Sequence, residues 1–297
     1  AEDGIRDSVA SRGLGDVYKR QREVFIGCRT SVGGLDEWDP AGMALLSNRA
    51  FGWIARLLNL IEKGAPWPRG MCLAKAAFLV RDPNKTEQPL ACRILMILAC
   101  MYRRWATLRL RQLEAWVETW ALDEMFAGVR GRGAEDGWYS TALNLELAEI
   151  EGLYMTIGAA DVFKSIDQLV RGTNYQLAAL AGMPARILNA YQRFQEGLTV
   201  RNAIAGGLGC PYHKPTSIPQ GCPFSTMFVS LLMRPWILLM RRESVVPRVL
   251  ADDILITASG PAHEEAFKRA SRETHLYLQE LGAKLAPDKS ITSSTHR

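Results

Sequence analysis

The sequence has no closely spaced cysteine pairs, no secretory leader, no internal repeat and no low-complexity linker. Each absence removes a class of protein. Its six cysteines (Cys28, Cys72, Cys92, Cys100, Cys210, Cys222) mostly lie in apolar context and read as reduced core residues rather than a disulfide framework. An intracellular protein, cytoplasmic or nuclear, is therefore expected. Cys210 and His213 in "CPYH" have ligand-like spacing, but no second close pair follows, so zinc is not expected. The longest apolar stretch, "FSTMFVSLLMRPWILLM", is interrupted by Arg234 and Pro235 and falls short of a membrane span, so it reads as a buried helix. No membrane partner is expected.

What is present is ordinary globular material, with 48% hydrophobic and 23% charged residues in a 297-residue chain. That length allows one large or two modest domains. A formal net charge of +5 is compatible with a polyanionic partner without requiring one. Arg103, Arg104, Arg109 and Arg111 cluster in "YRRWATLRLRQ", which suits a solvated helix face as well as phosphate contacts. Ala1 to Gln21 has neither a helical nor a strand period, and resembles the translated adapter sequence found at the ends of assembled transcript fragments. No native structure is expected there.

Hydrophobic spacing predicts a helix through "MALLSNRAFGWIARLLNLIEKG", stopped by Gly64 and Pro66. Two extended segments should flank the turn "RDPNKT", followed by a long helix from about Leu95 to Trp120. The glycine-rich "GVRGRGAED" leads into another helix, "GWYSTALNLELAEIEG". A strand ending in acids, "LYMTIGAAD", comes next, and "TVRNAIAGGLG" reads as a hairpin. "GPAHEEAFKRASRETHLYLQELG" is an amphipathic helix with Pro261 at its start and Gly282 at its end. Strands and helices in irregular order argue for an α+β fold.

"RVLADDILITASG" holds the chemical problem, because Asp252 and Asp253 interrupt a run that otherwise reads as a buried strand. A buried carboxylate costs several kcal/mol unless compensated. Asp161 lies at the end of another strand. Carboxylates converging from separate strands make an oxygen site for a hard cation such as magnesium. Strand alternation leads us to expect Asp252 facing Asp161, with Asp253 at the margin.

In this order "DVFKSID", "SIPQGCPFS", "LADD" and "GAKLAPDKS" resemble motifs A to D of reverse transcriptases, closest to the non-LTR retrotransposon and group II intron branch. "SVGGLDEW", "FLVRDPNKTEQPLACRIL" and "MFAGVRGRGAED" are similar to that family's upstream elements, so the resemblance runs from about Ser31 to Ser290. It implies the fingers and palm of a right-hand polymerase, the palm an antiparallel sheet packed on helices. The fingers would fall in 22–150 and the palm in 151–297, with some fingers elements between motifs A and B. No thumb is expected after "DKSITSSTHR".

The implied activity is RNA-directed DNA synthesis with magnesium, for which manganese can substitute. Its partners would be an RNA template, a DNA or RNA primer, deoxynucleotides and the remaining domains of a polyprotein. Asp161, Asp252 and Asp253 match the metal-binding carboxylates, and Lys289 the motif D acid for the departing pyrophosphate. Val162 and Phe163 would offer backbone near the nucleotide, and Ile166 would be the ribose gate. Arg81 and Arg93 match the residues that hold the triphosphate, and Gln220 and Gly221 the loop approaching template and nucleotide.

Several positions depart from the family pattern. Ile166 and Leu250 stand where aromatics are usual, Ser217 replaces a common glycine and Thr226 a common proline. Two alternatives stay open: a non-catalytic or decayed polymerase-fold scaffold, and an RNA-directed RNA polymerase. The last is disfavoured, because it selects ribonucleotides with a polar residue and Ile166 cannot hydrogen-bond.

Overall fold

A computed structural model of the chain describes residues 23–24, 31–80, 92–162, 168–204 and 206–295. The adapter-like Ala1–Gln21, Arg81, Phe163 and Ile166 lie outside the described residues. The strands are β1 (Leu73–Leu79), β2 (Arg93–Leu98), β3 (Met155–Asp161), β4 (Thr199–Ile204), β5 (Gly207–Leu208), β6 (Tyr212–His213), β7 (Val246–Leu250), β8 (Asp253–Ser259) and β9 (Ile291–Ser294). The longer helices are α1 (Asn48–Glu62), α2 (Cys100–Gln112), α3 (Glu114–Trp120), α4 (Ala134–Ile150), α5 (Arg171–Leu180), α6 (Ala185–Gly197), α7 (Ser225–Met240) and α8 (His263–Glu280). Among the described residues no helix is long and apolar enough to cross a membrane.

The chain forms two compact units. The first comprises residues up to Gln112, with Pro184–Pro215 and Gln220–Pro223. Its mixed sheet runs β2-β1-β4-β5, with β6 on β4; β1 is antiparallel to β2 and parallel to β4. The helix expected from Leu95 is a strand as far as Leu98, because "RILMIL" completes a ladder with β1. Helix begins only at Cys100 and breaks at Leu113, where the first unit ends.

The core of this unit also consumes most of the arginine cluster. Tyr102 stacks on Phe194, with ring centroids 3.4 Å apart, while Trp67 meets both edge-on. Beside them the buried Glu62 accepts hydrogen bonds from Trp105 Nε1 (2.8 Å) and Arg109 Nε (2.5 Å). Arg104 is buried, and Arg103 donates to Ser31 Oγ at 2.6 Å. Of the four arginines, Arg111 alone is exposed. Neither a solvated face nor a phosphate patch describes the cluster, since an uncompensated Glu62 would be far too costly to bury.

The second unit comprises Leu113–Met183, Thr216–Pro219 and the chain from Phe224 onward. Its sheet is antiparallel throughout, in the order β7-β8-β3-β9. Helix α8 covers one face, its Phe267 ring lying so close to Gly158 that a Cβ there would stand 2.3 Å from the ring. Helix α7, apolar on most sides as its sequence requires, fixes α8 through Trp236 Nε1, which donates to Thr274 Oγ1 at 2.9 Å. The boundary expected at 150/151 lies inside this unit. Phe126 N–H bonds the Val249 carbonyl and Val249 N–H the Glu124 carbonyl, both at 2.9 Å, so residues 124–126 are tied onto β7.

Candidate active site

The site is built where three chain segments of the second unit meet. β3 ends at Asp161, and its register places Asp161 directly opposite Asp253, the first residue of β8. Across the neighbouring hairpin Asp253 pairs with Leu250, leaving Ala251 and Asp252 as the turn. Ala251 holds a φ of +57°, an uncommon conformation for a residue with a Cβ. Asp253, rather than Asp252, thus faces Asp161. Strand alternation begins only at Asp253, because Asp252 is a turn residue and follows no pleat.

Asp252 does a different job here. Its carbonyl accepts the Val162 N–H at 3.2 Å and pins the hairpin tip to the chain just past Asp161. Val162 is itself buried and bridges to Leu285, so the backbone donor expected to serve a nucleotide is already engaged. The Ala286 N–H then bonds the Asp161 carbonyl at 2.8 Å, and a short 3-10 turn, Pro287–Lys289, brings Lys289 back to the acids. The Lys289 ammonium forms an ion pair with Asp161 Oδ2.

Asp161, Asp253 and Lys289 line a cavity of about 220 Å³. Its other walls include Phe126, Trp138, Thr141, Arg248, Leu250 and Leu255. Burial, followed by the neighbouring charges of Asp252 and Asp161, raises the Asp253 carboxyl above its usual range, and Lys289 opposes the rise. The Asp253 carboxylate therefore feels the charges of Asp252 and Asp161, with the Lys289 ammonium beside them. Carboxylates are hard oxygen donors of the type magnesium takes. Among the described residues no three His, Cys, Asp or Glu side chains converge as a ready-made cluster, and the cation on Asp161 is the Lys289 ammonium.

The raised carboxyl has a thermodynamic consequence with a definite sign. Native Asp253 keeps its proton at a pH where the unfolded carboxyl has lost it, so its contribution to stability falls as pH rises from 3.8 through the raised value. Above that window the charge is a cost, reduced by the partial exposure of the side chain. Asp253→Asn should therefore raise the melting temperature by about 1–2 °C at neutral pH. Thermal melts across pH should show that gain shrinking towards pH 3.

Of the described residues expected at the nucleotide, Arg93, Gln220 and Gly221 lie in the first unit and Val162 in the second. Arg93 opens β2 and is exposed. The Met96 N–H donates to the Gln220 carbonyl at 2.8 Å, so the loop carrying Gln220 lies against the edge of β2. Gly221 follows with φ +120°, where a Cβ would stand 2.4 Å from the Met96 carbonyl oxygen. Glycine is needed there for the loop's own packing.

Two buried arginines escaped the sequence reading. Arg171 donates from Nε to the Ser217 carbonyl at 2.8 Å and from Nη2 to Thr216 at 3.3 Å, while Ser225 Oγ holds the Pro219 carbonyl at 2.8 Å. These bonds secure Ser217 at φ +80°, a left-handed conformation that favours glycine. Arg248 is buried on β7, and its Nη2 donates to Ser140 Oγ at 3.0 Å. Burial lowers its pKa, with Glu124 acting in the opposite sense. A lone arginine in the apolar strand "VPRVL" was the available signal.

No family model and no curated protein matches the sequence. By architecture the chain has a mixed α+β fold that it shares with solved telomerase structures. It is similar to apo telomerase from Candida tropicalis truncated from its C-terminal domain, with a TM-score of 0.58 and 12% identity over 85% of this chain and 56% of that one. It is also similar to telomerase from the same organism in complex with a TWJ fragment of telomeric RNA, with a TM-score of 0.57 and 11% identity over 84% of this chain and 45% of that one. The chain thus spans about half the length of these structures, and at such identities the likeness is one of fold.

Proposed function

We propose that the chain is the RNA-directed DNA polymerase domain of a retroelement of the non-LTR or group II intron type, transferring nucleotides from deoxynucleoside triphosphates to a primer 3′-hydroxyl. The observation that carries this reading is the register of β3 with β8, which sets Asp161 against Asp253 at a cavity that Lys289 also lines. In this reading the first unit is the fingers and the second the palm. The partners are an RNA template, a primer and the remaining domains of a longer protein.

Asp161 and Asp253, with Asp252 beside them, would hold magnesium, and manganese in its place. When bound there, the ions supply activation of the primer hydroxyl and neutralisation of the pyrophosphate. Lys289 then leaves Asp161 and gives the proton on Nζ to the departing pyrophosphate. Arg93, with Arg81, binds the triphosphate through charge-assisted bonds. The edge of β2 positions Gln220 and Gly221, whose loop approaches the template and nucleotide, while Phe163 supplies backbone and Ile166 gates the ribose.

Primer extension on an RNA template at low salt, where backbone contacts are strongest, tests the reading. Magnesium-dependent incorporation of deoxynucleotides, reduced at least about 100-fold by Asp252→Asn, is expected. Equal extension by wild type and variant, or preferential use of ribonucleotides, would sink it. Binding of the duplex without extension by either protein would instead establish the scaffold reading.

A further inference from the structure

Helix α4 is built inside out. Its inward stripe, at positions 137, 141, 144 and 148, consists of Gly137, Thr141, Asn144 and Ala148, of which Thr141 and Ala148 are buried. Gly137 sits so close to Phe126 that a Cβ would be 3.1 Å from the ring. The large apolar residues stand outside that stripe: Tyr139 is 68% exposed, Leu143 40%, Leu147 52% and Ile150 81% along one flank, with Trp138 at 66% and Leu145 at 41% on the other. Tyr139, Leu143, Leu147 and Ile150 fall at i, i+4, i+8 and i+11, one continuous ridge on the exposed side of the helix. An apolar ridge of that length on a helix is normally covered.

The charge around the ridge says what covers it. Glu146, Glu149 and Glu151 stand beside it, Glu135 and Asp136 occupy the first turn, where Asp136 Oδ2 accepts the Gly133 N–H at 2.7 Å, and residues 134–151 contain no Lys or Arg. Glu149 and Glu151 also stand at the helix C-terminus, where the helix dipole disfavours negative charge, so they do not serve the helix's own stability. Nucleic acid is the wrong partner for such a face, since phosphates would meet carboxylates. A second copy would bring its own acids against these.

We infer that the outer face of α4 docks a basic amphipathic helix of a partner protein, with apolar residues on the Tyr139–Ile150 ridge and Lys or Arg on its flanks. The geometry is that of helix-to-helix packing with charged edges that choose the partner. This site is separate from the proposed polymerase chemistry and does not depend on it.

The test uses the full chain and a fluorescein-labelled peptide of about three heptads, with Leu at the a and d positions and Lys at e and g, beside a twin carrying Glu at e and g. Fluorescence anisotropy should show the Lys peptide binding at least about 10-fold more tightly than its twin, with added salt reducing the difference. Leu143→Ser with Leu147→Ser, both exposed, should weaken binding about 10-fold with an unchanged circular dichroism spectrum. Glu146→Lys with Glu149→Lys should reverse the preference between the peptides. Equal binding of the two peptides overturns the inference. So does an RNA–DNA duplex that displaces the Lys peptide, or a concentration-dependent dimer that the leucine substitutions abolish.

Discussion

Asp161→Asn should lower primer extension by about 10³-fold while leaving the melting temperature within about 2 °C of wild type. Asp161 has two relationships that pull in opposite directions. It forms an ion pair with Lys289, and it faces Asp253, whose carboxyl it helps to raise. Removing its charge frees Lys289, a small loss for a pair whose lysine is 56% exposed, and relieves Asp253, a small gain. Stability therefore barely moves, while in the proposed reading a metal ligand is lost. Lys289→Met should cost less activity, about 10²-fold.

If Asp161 served only as the structural partner of Lys289, the two single variants and the double variant would show the same loss. A metal ligand and a proton donor instead give unequal losses. Steady-state rates for the three variants, measured beside their thermal melts, decide between these outcomes.

Gly221→Ala should destabilise the chain by roughly 3 kcal/mol or more, lowering the melting temperature by about 10 °C. The cost has two sources, and the molecule contains a control for one of them. Gly64 shares the same φ of +120° but has nothing within 4 Å of its Cβ position. Gly64→Ala therefore pays only for the backbone conformation, about 1–2 kcal/mol. At Gly221 the Cβ would also stand 2.4 Å from the Met96 carbonyl oxygen, a backbone atom held in the β1–β2 ladder. Either β2 distorts or the loop leaves its edge and the Met96-to-Gln220 hydrogen bond breaks.

Denaturant unfolding of the two variants separates these terms, and hydrogen exchange at the Met96 amide reports whether the loop has left. Equal losses for Gly64→Ala and Gly221→Ala would show that proximity to β2 contributes nothing. In that case the glycine of the "PQG" loop would serve its turn alone.

Much of the architecture was legible along the chain. The β4–β5 hairpin, the amphipathic α8 and the buried α7 each follow from patterns a few residues long, because side-chain period and turn chemistry are local properties. The stretch from Leu95 to Leu98 misled for the same reason. A short apolar run has no distinctive period, and only the ladder with β1 makes it a strand. The arginine cluster misled because the partners of Arg109 and Arg103, Glu62 and Ser31, lie more than forty residues earlier.

The sequence alone determined the order of the motifs, the presence of the acids at strand ends and the helices that pack on the sheets. Tertiary structure decided which acid opposes Asp161, where Lys289 rests, why Ser217 and Gly221 adopt positive φ, and which side of α4 faces outward. The physical reason is register. A shift of one residue in the pairing of β3 with β8 would exchange the faces of every side chain on the strand, and that pairing joins residues about a hundred positions apart.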